Sequence, residues 1–251
     1  MHDINVDFFE TEEDCPCDIL IEGLPGVGLV GKLATEHMIE ELGAEKIAEI
    51  TSIYFPPQVI LEDCGVARLP NNELYRYEDK KKKLRVMFLI GDFQSATPEG
   101  HYFLTETYLD IAKKFGVKRI YTLGGYGVGH LTDKARVIAA VNDEKLKPEV
   151  EKAGAEFTES EPGGGIIGAA GLLLGIGKRM DIEGICIMGE TSGYLVDPRS
   201  ATCVLSVLSK LTGIKVDTTK LQERAVEMEA FVNRVKGAEK TGSEEELNYI
   251  G

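Results

Sequence analysis

The sequence predicts an α/β layered domain with a mostly parallel central sheet and helices on both faces. Three observations predict it: apolar runs of strand length, helix-length segments between them, and glycine-rich turns where the two meet. At 251 residues the chain is long enough for one large domain with a substantial buried core. A single domain over residues 1–236, ending in a helix, followed by a flexible acidic tail over 237–251, is the expected organisation.

The elements follow in order. "CDILIEG" (17–23) reads as a buried strand, Gly26 to Leu42 as a helix closed by Gly43, and "KIAEITSIYF" (46–55) as a strand stopped by Pro56-Pro57. Short strand-like runs at 58–63, 65–69 and 72–79 add an antiparallel element. "LRVMFLIGD" (84–92) is the continuous apolar run of a central parallel strand. A helix near 99–115 closes at Gly116, and "VKRIYTLGG" (117–125) and "ARVIAAVN" (135–142) are strands. A short helix occupies 143–154. Gly163 to Met180, apolar nearly all round, reads as a buried helix. "IEGICIMGE" (182–190) is the last central strand, with helices at about 199–212 and 217–236.

Composition narrows the function classes. With 42 acidic against 28 basic residues the formal charge is -14, a surface that repels phosphate backbones and anionic membranes. Neither nucleic acid nor membrane is an expected partner. The one basic run, Lys80 to Lys83, reads as a solvated hairpin loop. The acidic start carries no secretory signal, no apolar run approaches a bilayer span, and the five cysteines are scattered. A cytoplasmic protein with reduced thiols is expected. Cys15-Pro16-Cys17 has no second pair at ligand spacing, so neither a metal nor a cofactor is expected.

Four glycine or polar clusters follow strands. In "GLPGVGLVGK" (23–32), Gly26, Gly28 and Gly31 fit G-x-G-x-x-G, and Gly26, Gly31 and Lys32 fit a P-loop up to its last position. Leu33 stands where the magnesium-binding hydroxyl belongs, and no acid ends the next strand for a ribose. The competing reading is a tight strand-to-helix turn with close helix packing. "LGGYGVGH" (123–130) offers His130 as a base. "GETSGYLVDPRS" (189–200) offers Glu190, Thr191 and Ser192, and "GDFQSATPEGH" (91–101) offers Asp92 and Ser95. If these loops share a rim they form a polar pocket for a nucleoside or small anion, with no catalytic residue assigned. The plain alternative is capping of the helices that follow.

Taken as an ordered set, "GLPGVGLVGKLATEHMIEELGA", "YFPPQVILEDCGVARLPNNELYRYED", "LIGDFQSATPEGHYFLTETYLDIAKKFGVKRIYTLGGYGVG" and "GIIGAAGLLLGIGKRMDIEGICIMGETSGY" closely resemble the proteasome assembly chaperone family in its archaeal single-domain form. The resemblance covers about residues 17 to 235. It implies an architecture similar to nucleoside phosphorylases without enzymatic activity, and homo-oligomerisation. It also implies binding to proteasome α-subunits or the core particle, with a related second chaperone subunit as a further candidate partner. In this family Gly26, Gly28 and Gly31 would form a structural turn.

The resemblance also bears on the tail. Proteasome-binding partners end in a hydrophobic residue, Tyr and any residue, and dock the tyrosine and terminal carboxylate between neighbouring α-subunits. Here the end is Leu247-Asn248-Tyr249-Ile250-Gly251. Tyr249 is third from the end and Asn248 precedes it, so the motif is shifted. Leu247, Tyr249, Ile250 and Gly251 are the expected contact residues.

Overall fold

The apolar runs assemble into one eight-stranded sheet in the computed structural model, which describes residues 3–10, 16–130, 136–159, 163–228 and 230. The strands are β1 (Ile4–Phe8), β2 (Ile19–Glu22), β3 (Glu45–Ser52), β6 (Asn71–Asp79), β7 (Leu84–Gly91), β8 (Arg119–Gly127), β9 (Val137–Val141) and β10 (Glu183–Thr191). A separate two-stranded ribbon pairs β4 (Ile60–Leu61) with β5 (Ala67–Arg68). The helices are α1 (Val30–Leu42), α2 (Pro98–Lys114), α3 (Lys147–Ala153), α4 (Ala169–Arg179) and α5 (Pro198–Thr212), and residues 219–228 are helical as well.

The order across the sheet is β1-β3-β6-β7-β2-β8-β10-β9. The expectation of a mostly parallel sheet is corrected: the sheet is mixed. Only the β7–β2, β2–β8 and β8–β10 ladders are parallel. The β1–β3, β3–β6, β6–β7 and β10–β9 ladders are antiparallel. The reason is connection length. Parallel neighbours need a crossover of a dozen residues or more, whereas β6 turns into β7 through only Lys80 to Lys83. That basic run is therefore the hairpin loop expected of it. β1 was not anticipated at all.

Side chains alternate between two cores, as the strand period requires. Ile19 and Ile21 of β2, with Val86, Phe88 and Ile90 of β7, face α1, α3 and α5. Leu20, Met87 and Leu89 face α2 and α4. Helices thus cover both faces. Their ends follow local chemistry: Thr97 caps α2 by accepting from the Gly100 N–H at 3.1 Å, with Pro98 in the first turn. Asp197 caps α5 through the Ser200 N–H at 2.9 Å, again followed by proline.

Two expected helices are shorter than the sequence suggests. The run from Gly163 becomes helical only at Ala169, because Gly164, Gly165 and Gly168 take positive φ values of 85°, 108° and 85°. Before α1, residues Val27–Leu29 form a 3-10 turn. No helix among the described residues is long and apolar enough to cross a membrane.

Candidate functional site

Four neighbouring strands, β7, β2, β8 and β10, are parallel, so their carboxyl ends and the loops that leave them lie along one rim. This is where an open α/β sheet offers a crevice. The loops carry all four clusters singled out above. Their contacts show what each residue is doing.

The first glycine turn is pressed onto β8 and β10. A Cβ built on Gly31 would fall 2.0 Å from the Leu123 carbonyl oxygen, and one on Gly125 would fall 2.2 Å from the Val27 oxygen. Gly28, at φ +62°, would place a Cβ 2.9 Å from Thr191 Oγ1. The Gly28 carbonyl accepts the Asp197 N–H at 2.9 Å. Val27 reaches over Gly127 and Gly193. The glycines of the first and second clusters are thus complementary surfaces. Lys32 pairs along its own helix with Glu36 at 3.5 Å.

Gln94 clamps this rim from the other side. Its Nε2 donates to the Pro25 carbonyl at 2.7 Å, and its Oε1 accepts the Ala169 N–H at 2.9 Å, joining the β7 loop to the first turn and to α4. Ser95 bonds the Thr97 carbonyl at 2.8 Å and sits beside the α2 cap.

The acidic candidates turn away from each other. Asp92 accepts two bonds from the Arg68 guanidinium, at 2.6 and 3.0 Å, and the Asn71 N–H at 3.0 Å. Burial pushes its carboxyl up, but Arg68 and the Asn71 amide outweigh this and hold it below the usual range. Glu190 is buried and accepts from Arg136 Nη2 at 2.8 Å. The Arg136 guanidinium holds its carboxyl down. With β2 and β8 between them, the two acids lie about three strand spacings apart, about 14 Å.

Thr191 and Ser192 are buried. The Thr191 hydroxyl has no hydrogen-bond partner among the described residues. His130 is exposed, with Nδ1 3.0 Å from the Val128 carbonyl. The tail residues Leu247, Tyr249, Ile250 and Gly251 lie outside the described residues.

One group at this rim was missed. Glu22 ends β2, is 1% exposed, and has one oxygen bonded to the Leu24 N–H at 2.8 Å while Oε2 has no partner among the described residues. Burial pushes its carboxyl up to about 8. It stands in register with Thr122, which is in register with Cys186, and both of those side chains are buried. Burial likewise pushes the Cys186 thiol up to about 12. Nearby, the Tyr108 hydroxyl and the Asn72 amide are bonded at 2.6 Å. A lone acid at the end of the apolar run "ILIE" is the signal that would have found it.

Clefts formed by described residues also lie elsewhere. One of about 590 Å3 is walled by residues 51–53 and 55–59 together with Asn5, Leu69 and Pro70. One of about 780 Å3 adjoins α5, and one of about 500 Å3 lies where β10 begins.

Comparison with known proteins adds to this geometry. A family model described as the PAC2 family matches residues 20–236. A Methanocaldococcus jannaschii protein, MJ1210, is 40% identical, the match covering 93% of this chain and 92% of that one. Pyrococcus furiosus PbaB, described as an archaeal proteasome activator, superposes with a TM-score of 0.88 at 39% identity, covering 94% of this chain and all of PbaB. Pyrococcus furiosus PbaA, described as an archaeal homolog of proteasome-assembly chaperone, gives 0.76 at 26% identity, covering 99% of this chain and all of PbaA.

Proposed function

The chain belongs to the PAC2 family, and from that premise we propose that it is a non-enzymatic chaperone or adaptor that binds proteasome α-subunits or the core particle. It acts as a cytoplasmic homo-oligomer and engages the ring through its C-terminal tail. The observation that carries this reading is the likeness to PbaB, which extends over nearly the whole of both chains at 39% identity. Residues 1–236 form the body and 237–251 the docking tail, with Leu247, Tyr249, Ile250 and the Gly251 carboxylate as its contact groups. Several tails on one oligomer would bind one ring with avidity. A related second chaperone subunit could join the same oligomer.

Self-association is supported by an apolar arm. Residues 53–61, "IYFPPQVIL", hold no charged side chain in a chain of formal charge -14. Ile53, Val59, Leu61, Val66 and Leu69 are all more than half exposed, and Ile53, Val59 and Leu69 line the 590 Å3 cleft. With no charge on this stretch, two acidic copies can meet here with little electrostatic cost.

The glycine turn at Gly26, Gly28 and Gly31 serves packing, not a nucleotide. The competing reading is a ligand site on an architecture similar to nucleoside phosphorylases. It would need Asp92, Ser95, His130, Glu190, Thr191 and Ser192 to converge. Instead Asp92 is saturated by Arg68 and Glu190 is paired with Arg136 on the opposite flank.

Native mass spectrometry of the chain mixed with proteasome α-subunits tests the proposal, with a chain truncated after Glu246 as the control. A complex that disappears with the tail is expected. Absence of any complex with free α-subunits or core particles at micromolar concentration would overturn it.

A further inference from the structure

The cleft of about 780 Å3 lies between the outer face of α5 and residues 213–222, and none of its ten lining residues is acidic. That is unusual in a chain with 42 acidic residues, and it has a cause in sequence: no Asp or Glu occurs between Asp197 and Asp217. Lys210 and Lys215 both line it. The Lys210 ammonium donates to the Ala153 carbonyl at 2.9 Å, which fixes its place without neutralising it. Lys215 is exposed and makes no ion pair among the described residues. The Thr218 hydroxyl accepts from Gln222 Nε2 at 3.1 Å and keeps its own proton to donate.

A second basic element meets the same rim. The Lys82 ammonium bonds the carbonyl of Gly213, a cleft residue, and so brings the turn Lys80 to Lys83 against it. Lys82 is itself paired with Asp79 at 3.4 Å, whereas Lys80, Lys81 and Lys83 are exposed and unpaired among the described residues. Of the acids that flank this region, Asp217 accepts from Thr219 and Glu41 pairs with Lys220 at 2.6 Å, while Glu223 is exposed beside Gln222. The surface therefore fits an extended acidic peptide.

We propose that its occupant is this chain's own segment Glu244-Glu245-Glu246, folded back from the tail. The charge is complementary: residues 237–251 carry four glutamates against one lysine. The reach is ample. Thr218 and Gln222, at the start of the last helical stretch, form part of the cleft wall. Six further residues of helix carry the chain only about 9 Å away from Gln222 by residue 228. The sixteen residues from 228 to 244 can span up to about 53 Å. Surface ion pairs of about 0.2–1 kcal/mol each suffice, because tethering supplies a high effective concentration. Tyr249 is then held beside the body until a stronger binder draws the tail away.

Carbodiimide coupling joins carboxylates to amines in direct contact and reads this arrangement by mass spectrometry on the full chain alone. Amide links from Glu244–Glu246 to Lys210, Lys215 or the β6–β7 lysines are expected in dilute protein at low salt. Their yield should fall about fivefold or more in 1 M salt, where screening reaches about 3 Å. It should fall likewise in Lys215→Ser, and vanish in the triple Glu→Gln variant, both of which leave the fold's contacts untouched. Coupling spread evenly over surface lysines overturns the proposal. So do links that join ¹⁴N- to ¹⁵N-labelled chains in a mixture, since these assign the cleft to a second copy's tail. No proteasome subunit is present, so failure here leaves the ring-binding reading standing, and the reverse also holds.

Discussion

Gly31 approaches Leu123 so closely that a single methyl group on Gly31 would sit 2.0 Å from the Leu123 carbonyl oxygen. The obstacle is backbone on a central strand and cannot swing aside. Gly31→Ala should therefore destabilise the protein by about 3 kcal/mol, the upper part of the range for overpacking. Gly175, inside α4 with open space around it, makes the contrast: Gly175→Ala should stabilise by about 0.5–1 kcal/mol through helix propensity. Urea unfolding of both variants checks the pair.

Glu22 predicts an alkaline weakness. Burial raises its folded value to about 8, above the unfolded carboxyl, so the folded state holds its proton more tightly. The stability this contributes is fully present below the unfolded value, declines as pH rises through it, and is gone above pH 8. Glu22→Gln keeps the shape and removes the titration. Relative to the variant, the native protein should lose several kcal/mol between pH 5 and 9. Parallel denaturation curves across that range would show the native midpoint falling relative to the variant's as pH rises.

Asp92 predicts the opposite sign. Its carboxyl is held below the usual range, so its contribution is present at neutral pH and lost as pH falls through the folded value. Both partners are partly wet, 33% and 18% exposed for Arg68 and Asp92, which limits the pair to about 1 kcal/mol. Asp92→Asn should loosen the β4–β5 ribbon locally, since Arg68 belongs to β5. Faster amide exchange over residues 60–71, with little change elsewhere, is the expected reading.

Leu61, at 69% exposed, is an outermost apolar side chain of the arm. Leu61→Lys should shift the oligomer toward smaller species without lowering the melting temperature of the body. Sedimentation velocity resolves the two effects, and an unchanged sedimentation coefficient would move the self-contact to another face.

The layered fold was legible because its central strands are continuous apolar runs: "ILIE", "VMFLIG" and "GICIMGE" announce burial on both sides. The sheet's margins were not. β1, "INVDF", turns Ile4 and Val6 toward the core and lays Phe8 on Phe115, yet looks like the acidic stretch around it. Strand direction is equally invisible, since the alternation of β9 reads the same either way. The glycine lead into α4 misled because composition suggests a helix that positive φ values forbid.

For the candidate site, the loops were placed correctly at the strand ends, but their polar residues looked available. Arg68 lies 24 residues from Asp92, and Arg136 lies 54 from Glu190. Pairings at that separation leave no local trace. Likewise "GLPGVGLVGK" imitates a phosphate cradle because the strand that occupies its hollow, with Gly125 and Gly127, comes about a hundred residues later.

That separation has a cost in time. β2 leaves the ribosome before either of its partners, since its two edges pair with β7 and β8, ending at residues 91 and 127. At about 5–20 residues per second of synthesis, the strand waits about 3–14 s with both edges bare and about 5–20 s before its second edge can pair. During that interval "ILIE" is an open template for any other nascent strand. The central strand of the sheet thus depends for those seconds on shelter that the chain has yet to supply.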